Sequence, residues 1–273
     1  LNYLNATRQS GKGMLETFER FAQQEYIGEQ NKDPFVRSHP VAVDRLAHLR
    51  NIVARSPSYE QRDPPLLQLR HDMMRAKLSG YLERPGVVFN RYPMSDNSLP
   101  ARYARAIAKF FRGGQGGLET ALADIDGLIR EKPDNPYFWE LKGDLLSRSG
   151  KAREAIPVVR QALKLAADGN LIRVQLATAL LATEDQAVVN EAAELLRRSL
   201  IEDQDARAYR ELANALIRQG KRPEADAAIA HAYFLEGDVK QAQIFAKRAQ
   251  SALAKGSPAW VKMDDIANFK PET

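Results

Sequence analysis

The amino-acid sequence predicts an all-α protein in which helical hairpins stack one behind another. Small residues and glycines recur at intervals of about 34 residues through the second part of the chain, which is typical of such stacks. In the first part, apolar residues recur at the i, i+3, i+4 and i+7 spacing of amphipathic helices. No series of segments alternates apolar and polar residues, so we expect no β-sheet.

The clearest repeat unit is the segment NPYFWELKGDLLSRSGKAREAIPVVRQALKLA. It places Trp139, Gly143, the turn glycine Gly150, and the small residues Ala155 and Ala162 at the spacing of a tetratricopeptide repeat, which it resembles. Alanine and glycine let two antiparallel helices approach closely, while larger side chains fill the remaining gaps. The turn glycine supplies the positive φ that ends the first helix.

Neighbouring units follow the same spacing. Gly116 stands 34 residues before the turn glycine of that unit, and Gly220 stands 70 residues after it, with Ala225 and Ala232 at the two small positions. The unit between residues 171 and 202 carries a short insertion. Because one hairpin cannot bury its own apolar face, we expect the units to form a superhelix with a continuous core and a concave surface.

The last repeat is compressed. Gly237 follows Gly220 after only 17 residues, so we expect the helix from about Ala225 to Phe234 to serve two hairpins. The segment after residue 255 predicts a capping helix and a tail.

The first third lacks the 34-residue period. Helices are expected at Met14–Tyr26, Val41–Ala54 and Leu66–Leu82, separated by proline-rich connectors. The only strand candidate is Val87–Phe89. The predicted domains are helices and a linker at 1–98, tetratricopeptide-like repeats at 99–255, and the capping helix and tail at 256–273.

Composition and charge exclude several function classes. The net charge of +5 comes from basic and acidic residues that are interspersed, and basic residues do not alternate with aromatic ones, so we expect no nucleic-acid partner. The absence of cysteine excludes disulfides and thiolate zinc sites. No apolar run is long enough for a transmembrane segment.

Catalytic motifs are also missing from the chain. Its four histidines, His39, His48, His71 and His231, include no pair at the i, i+4 spacing of an HExxH zinc motif. No G-x-S-x-G elbow and no phosphate-binding loop is present. We therefore expect the chain to be inactive as an enzyme by itself.

The first 45 residues nevertheless contain a series of residues whose order and types are typical of one known family. Gly13, Met14 and Phe18 precede an H-P-x-x-x-x-R sequence formed by His39, Pro40 and Arg45. Tyr3, Leu4 and Phe21 belong to the same series of residues. With the linking helices and the repeats that follow, residues 1–255 resemble the C-terminal region of the periplasmic BepA-like zinc metallopeptidases.

This resemblance implies a longer parent protein whose HExxH motif lies upstream of Leu1, with zinc as the parent's cofactor and none expected in this chain alone. It also implies that His39 approaches the zinc as a regulatory ligand, since a neutral imidazole can fill the open position. The alternative is that His39 only begins a helix before Pro40. Arg45 is expected to be a structural partner of a nearby carboxylate or carbonyl.

The resemblance further implies a periplasmic function in cell-envelope protein quality control. The partners would be unfolded or outer-membrane client proteins, assembly machinery and the missing metallopeptidase domain. The alternative is a stand-alone tetratricopeptide adaptor without protease activity. Polar positions of the first helices give the predicted partner-binding residues: Tyr103, Arg105, Glu140, Arg148, Arg173, Gln175, Arg210 and Asn214.

Overall fold

The computed structural model of the chain describes residues 1–28, 42–114 and 116–270, and for residues 24–28 and 42–45 it describes the backbone alone. Every regular element in these ranges is helical, which confirms the predicted all-α class with tetratricopeptide-type hairpins. The chain forms two compact units, Leu1–Arg75 and Ala76–Thr273. The domain boundaries predicted at 98/99 and 255/256 stay predictions.

The first unit contains three helices and the beginning of a fourth. They are α1 (Asn2–Ala6), α2 (Lys12–Gly28), α3 (Ala42–Ala54) and α4 (Pro65–Leu82). Its described core is small, with Leu46 and Val53 as the buried apolar side chains. Hydrogen bonds between segments support it: the Ser10 hydroxyl donates to the carbonyl of Tyr59 at 2.8 Å.

The second unit begins within α4 and continues as consecutive helices joined by short turns. They are α5 (Pro85–Arg91), α6 (Leu99–Arg112), α7 (Gly117–Glu131), α8 (Pro136–Arg148), α9 (Ala152–Leu165), α10 (Asn170–Leu181), α11 (Val189–Glu202), α12 (Ala206–Arg218), α13 (Arg222–Leu235), α14 (Val239–Gln250) and α15 (Pro258–Ala267). A 3₁₀ turn at Gln186–Val188 accounts for the insertion in the third repeat.

Local sequence signals set the ends of these helices. The side chains of Ser98, Asn135 and Asp205 accept hydrogen bonds from backbone N–H groups at the starts of α6, α8 and α12. Gly150 and Gly220 both have a φ of +74°, so the predicted turn glycines end α8 and α12 in the left-handed region. The strand prediction for Val87–Phe89 was wrong, because Pro85 begins a short helix there.

Close helix packing occurs where the repeat spacing predicts it. A Cβ atom on Gly143 would lie 2.3 Å from the Val159 Cγ2 atom, so only glycine lets α8 approach α9 this closely. Ala155, Ala162, Ala225 and Ala232 are all fully buried.

Trp139 is half-buried at the edge of the main core, and its indole N–H donates to the carbonyl of Pro133 at 2.9 Å. The neighbouring residue Phe138 is fully buried, and its ring packs against the ring of Tyr103. At the other end, α13 packs against both α12 and α14, as the short interval between the turn glycines predicts. None of the described helices combines the length and apolar character that a membrane span requires.

Candidate protein-binding surface

The first helices of successive hairpins, α6, α8, α10 and α12, form what we term the first-helix row. Within it, α10 contacts both α8 and α12. The Gln175 side-chain amide on α10 donates to the backbone carbonyl of Glu140 on α8 at 3.0 Å. The Thr178 hydroxyl of α10 instead donates within its own helix, to the carbonyl of Val174 at 3.0 Å. A hydrogen bond therefore links α8 to α10, and packing links α10 to α12.

A cluster of charged and aromatic side chains lies on α8 where the end of α4 meets it. The Lys77 ammonium is 2.6 Å from the Glu140 Oε2 atom. The Tyr81 hydroxyl donates to the Asp144 Oδ2 atom at 2.6 Å, and the Arg148 Nε donates to the same oxygen at 2.7 Å. We term these five residues the α8 polar cluster.

Burial raises the pKa values of several acidic side chains in and beside the first-helix row. Desolvation raises the pKa of Glu140 above its usual value, and the nearby Lys77 ammonium opposes this rise. Desolvation likewise raises the pKa of Tyr81, with the Asp144 carboxylate adding to the effect. In α12, desolvation raises the pKa of Glu211, and the charge of Arg207 opposes it. Both carboxylates, Glu140 and Glu211, are therefore partly removed from solvent, and each has a basic side chain nearby that favours its charged form.

Two of the predicted partner-binding residues lie in the interior. Tyr103 is 1% exposed and Arg105 is 5% exposed. The Arg105 Nη1 atom donates to the carbonyl oxygens of Pro93 at 2.7 Å and Asp96 at 2.8 Å, so this arginine fastens the loop before α6. A partner-binding role for Tyr103 and Arg105 does not agree with this burial, because Tyr103 packs against Phe138 of α8 and Arg105 is covered by the loop before α6.

The other six predicted residues lie nearer the surface. Glu140 and Arg148 belong to the α8 polar cluster, and Gln175 contacts Glu140. Arg173 pairs with Glu202 at 2.9 Å, and Asn214 is exposed. Arg210 pairs with Glu236 and lies 4.7 Å from the centre of the Tyr233 ring. The structure thus brings Glu140, Arg148 and Gln175 to the α8 polar cluster, and the contacts of Arg173 and Arg210 lie outside that cluster.

Sequence reasoning missed Lys77, Tyr81 and Asp144. Asp144 could have been found, since Glu140, Asp144 and Arg148 recur every four residues and so share one face of α8. Lys77 and Tyr81 gave no comparable signal, because their partners are about 63 residues away along the chain.

The predicted metal ligand His39 lies outside the described residues. Arg45 falls within the backbone of α3, and its side chain lies outside what is described. In the described ranges, no three His, Asp or Glu side chains are grouped as a metal site requires.

His231 lies beside a small cavity near the end of the array. It stacks on Tyr209 with ring centres 4.8 Å apart. Burial, helped by the Lys262 charge, lowers its pKa from 6.5 to about 4, so the imidazole is neutral at pH 7. The cavity, of about 190 Å³, lies between α13 and α15 and is also lined by Met263. This histidine therefore packs between its own helix and Tyr209 of α12.

Comparison with known proteins adds little to this description. No protein family and no curated protein matches the sequence. Among solved structures, 23 chains match. One of them, titled "MamA MSR-1 C2", is 18% identical over an alignment that covers 64% of this chain and 99% of that chain, with a TM-score of 0.47. The assignment of tetratricopeptide-type hairpins therefore rests on the helix spacing and packing described above.

Proposed function

We propose that this chain is a protein-binding module and that its first-helix row receives a segment of a partner polypeptide. The observation that carries the proposal is the continuity of α8, α10 and α12, through the Gln175 hydrogen bond and the packing of α10 against α12. A surface of connected parallel helices accepts extended or helical peptides, as repeat proteins commonly do.

The exposed side chains of the row suit such a ligand. Leu171 on α10 is 72% exposed, and Ile217 on α12 is 44% exposed. Arg207 and Asn214 are exposed on α12 as well. Apolar side chains of a bound segment would be desolvated against the first pair, and its backbone carbonyls would accept hydrogen bonds from the second.

A binding measurement with an unfolded polypeptide tests this. The probe is a reduced, carboxymethylated globular protein, and the variant is R207A/N214A. The matched control is R153A/R197A, which removes exposed side chains from the second helices α9 and α11. We expect the α12 variant to bind at least fivefold more weakly and the control to bind as the unaltered chain does. Equal binding by all three proteins would overturn the proposal.

We propose further that the module belongs to a periplasmic zinc metallopeptidase engaged in cell-envelope quality control, with unfolded or outer-membrane proteins as clients. Its support is the H-P-x-x-x-x-R sequence at His39, Pro40 and Arg45, followed by linking helices and repeats in that order. The test is the substitution His39→Ala in the complete parent protein. We expect altered proteolysis and weaker zinc retention, and no change in either would remove the regulatory role of His39.

A further inference from the structure

The end of α4 rests on the first-helix row in the manner of a bound helix. Ala76 and Gly80 of α4 are buried, and Ser79 is 4% exposed. A Cβ atom on Gly80 would lie 2.8 Å from the Ile107 Cβ atom of α6. The absence of a side chain at this position therefore lets the backbone of α4 lie directly on α6.

Polar contacts hold the same stretch against α8. Lys77 and Tyr81 flank the small residues and bond to Glu140 and Asp144, as described for the α8 polar cluster. The Tyr81 ring also packs edge-on against Phe111, with ring centres 5.5 Å apart. One short helical stretch thus packs on α6 at its glycine and forms polar contacts with α8 through its lysine and its tyrosine.

The outer face of this stretch carries the large apolar side chains. Leu78 is 52% exposed and Leu82 is 77% exposed. Amphipathic helices usually bury their leucines and expose their polar residues, because burial of apolar area is the main favourable contribution to folding. Here the helix buries small and polar residues and leaves its leucines in solvent, so its docking uses little of its available hydrophobic energy.

We propose that residues 76–82 of α4 are a resident ligand that occludes the α6 and α8 part of the first-helix row. The occluded face accepts a helix that presents a glycine, a lysine three residues before it and a tyrosine one residue after it. This inference rests on the proposed function, because it identifies the kind of segment that the row binds. A partner helix with this pattern binds the face only when α4 is withdrawn.

The test adds the resident segment back as a separate peptide. The probe is a fluorescently labelled peptide of residues 70–84, and its binding to the full chain is measured by fluorescence anisotropy. The variant Gly80→Leu displaces α4, since a side chain there collides with Ile107, while leucine still favours the helix itself. The matched control is Gly86→Leu, because a Cβ atom at Gly86 meets nothing within 4 Å.

We expect Gly80→Leu to bind the peptide at least tenfold more tightly than the unaltered chain and the control do. A peptide that itself carries Gly80→Leu should bind to none of the three. Equal binding of the unaltered peptide by all three, with circular dichroism showing intact helices, would overturn the inference.

If Gly80→Leu does not fold, the chain variant K77E/Y81F replaces it. This variant places like charge beside Glu140 and removes the hydroxyl that bonds to Asp144, and it leaves the tyrosine ring shape unchanged. We expect the same tenfold gain, and no gain would again overturn the inference. Loss of unfolded-chain binding in R207A/N214A is a separate measurement, so the two proposals can fail independently.

Discussion

The central hairpins and the C-terminal hairpins of the second unit are built from similar helix pairs but are held by different interactions. The central core contains many large aliphatic side chains, among them Leu176, Leu180 and Leu196. The C-terminal core is mostly alanine, with Met263 and Ile266 as its large buried members. Alanine buries less apolar area per residue, so the C-terminal hairpins gain less from the hydrophobic effect.

The C-terminal end also holds charged and titratable side chains away from solvent. Asp226 of α13 is 3% exposed and forms a two-pronged ion pair with Arg248 of α14, in which the Nε–Oδ2 distance is 2.6 Å. His231, on the same helix α13, is partly buried as a neutral base. The comparison teaches that large aliphatic side chains form the centre of the array, whereas its end combines an alanine-rich core with a buried ion pair and a partly buried histidine. We therefore expect the end to respond to pH and charge substitution more than the centre does.

The largest effect is expected in the central core. Leu196 is fully buried, so Leu196→Ala should lower the free energy of unfolding by about 3 to 4 kcal/mol, through lost apolar contacts and the cavity left behind. Urea denaturation measures this. The control Leu171→Ala alters a leucine that is 72% exposed and should change stability by less than about 0.5 kcal/mol. Similar losses in both variants would contradict the description of the core.

The next effect concerns pH. Because the folded pKa of His231 is about 4 and the unfolded value is 6.5, the unfolded chain binds a proton first as the pH falls. The contribution of this histidine to stability is therefore complete above pH 6.5 and is lost between pH 6.5 and 4. We expect a loss of about 2 kcal/mol over this range, after allowance for its partial exposure.

The substitution His231→Phe should remove that part of the acid sensitivity, since a phenyl ring can still stack on Tyr209. Urea denaturation at pH 7 and at pH 4.5 gives the difference. His71→Phe serves as the control because His71 is exposed. An equal acid loss in the unaltered chain and in His231→Phe would show that the imidazole is not the responsible group.

A third effect isolates the buried ion pair. Asp226→Asn leaves Arg248 without its charged partner and should cost about 2 kcal/mol, less than a fully buried pair because Arg248 is half-exposed. Hydrogen exchange should increase mainly in α13 and α14, since local unfolding follows local interactions. Uniform exchange across the central hairpins would argue against two separately stabilised regions.

The smallest effect is expected for an ion pair on the surface, which should contribute little to the free energy of unfolding. Glu194 pairs with Arg198 on α11 at 3.2 Å, and both side chains are more than half exposed. Glu194→Gln should therefore change the free energy of unfolding by less than about 0.5 kcal/mol. A loss comparable to that of Asp226→Asn would mean that burial does not distinguish the two pairs.

Much of the fold was predictable because it depends on local spacing. Turn glycines such as Gly150 and buried alanines such as Ala155 recur with the repeat, and each reports directly on helix ends and close packing. The helix at Val87–Phe89 was not predicted, because a short apolar run is compatible with either a strand or a helix. The candidate site was less predictable. Tyr103 and Arg105 occupy polar or amphipathic helix positions, yet Tyr103 packs against Phe138 of α8 and Arg105 binds the loop before α6.

The sequence by itself determined that this protein is a row of helical hairpins, since small residues at a fixed interval permit close helix approach wherever they occur. Only the tertiary structure decided which polar side chains meet. Lys77 and Tyr81 reach Glu140 and Asp144 because Gly80 lets α4 lie on α6, a contact between residues far apart in the chain. Periodicity reports on neighbours within one helix, whereas pairing across the array depends on how separate helices come together in space.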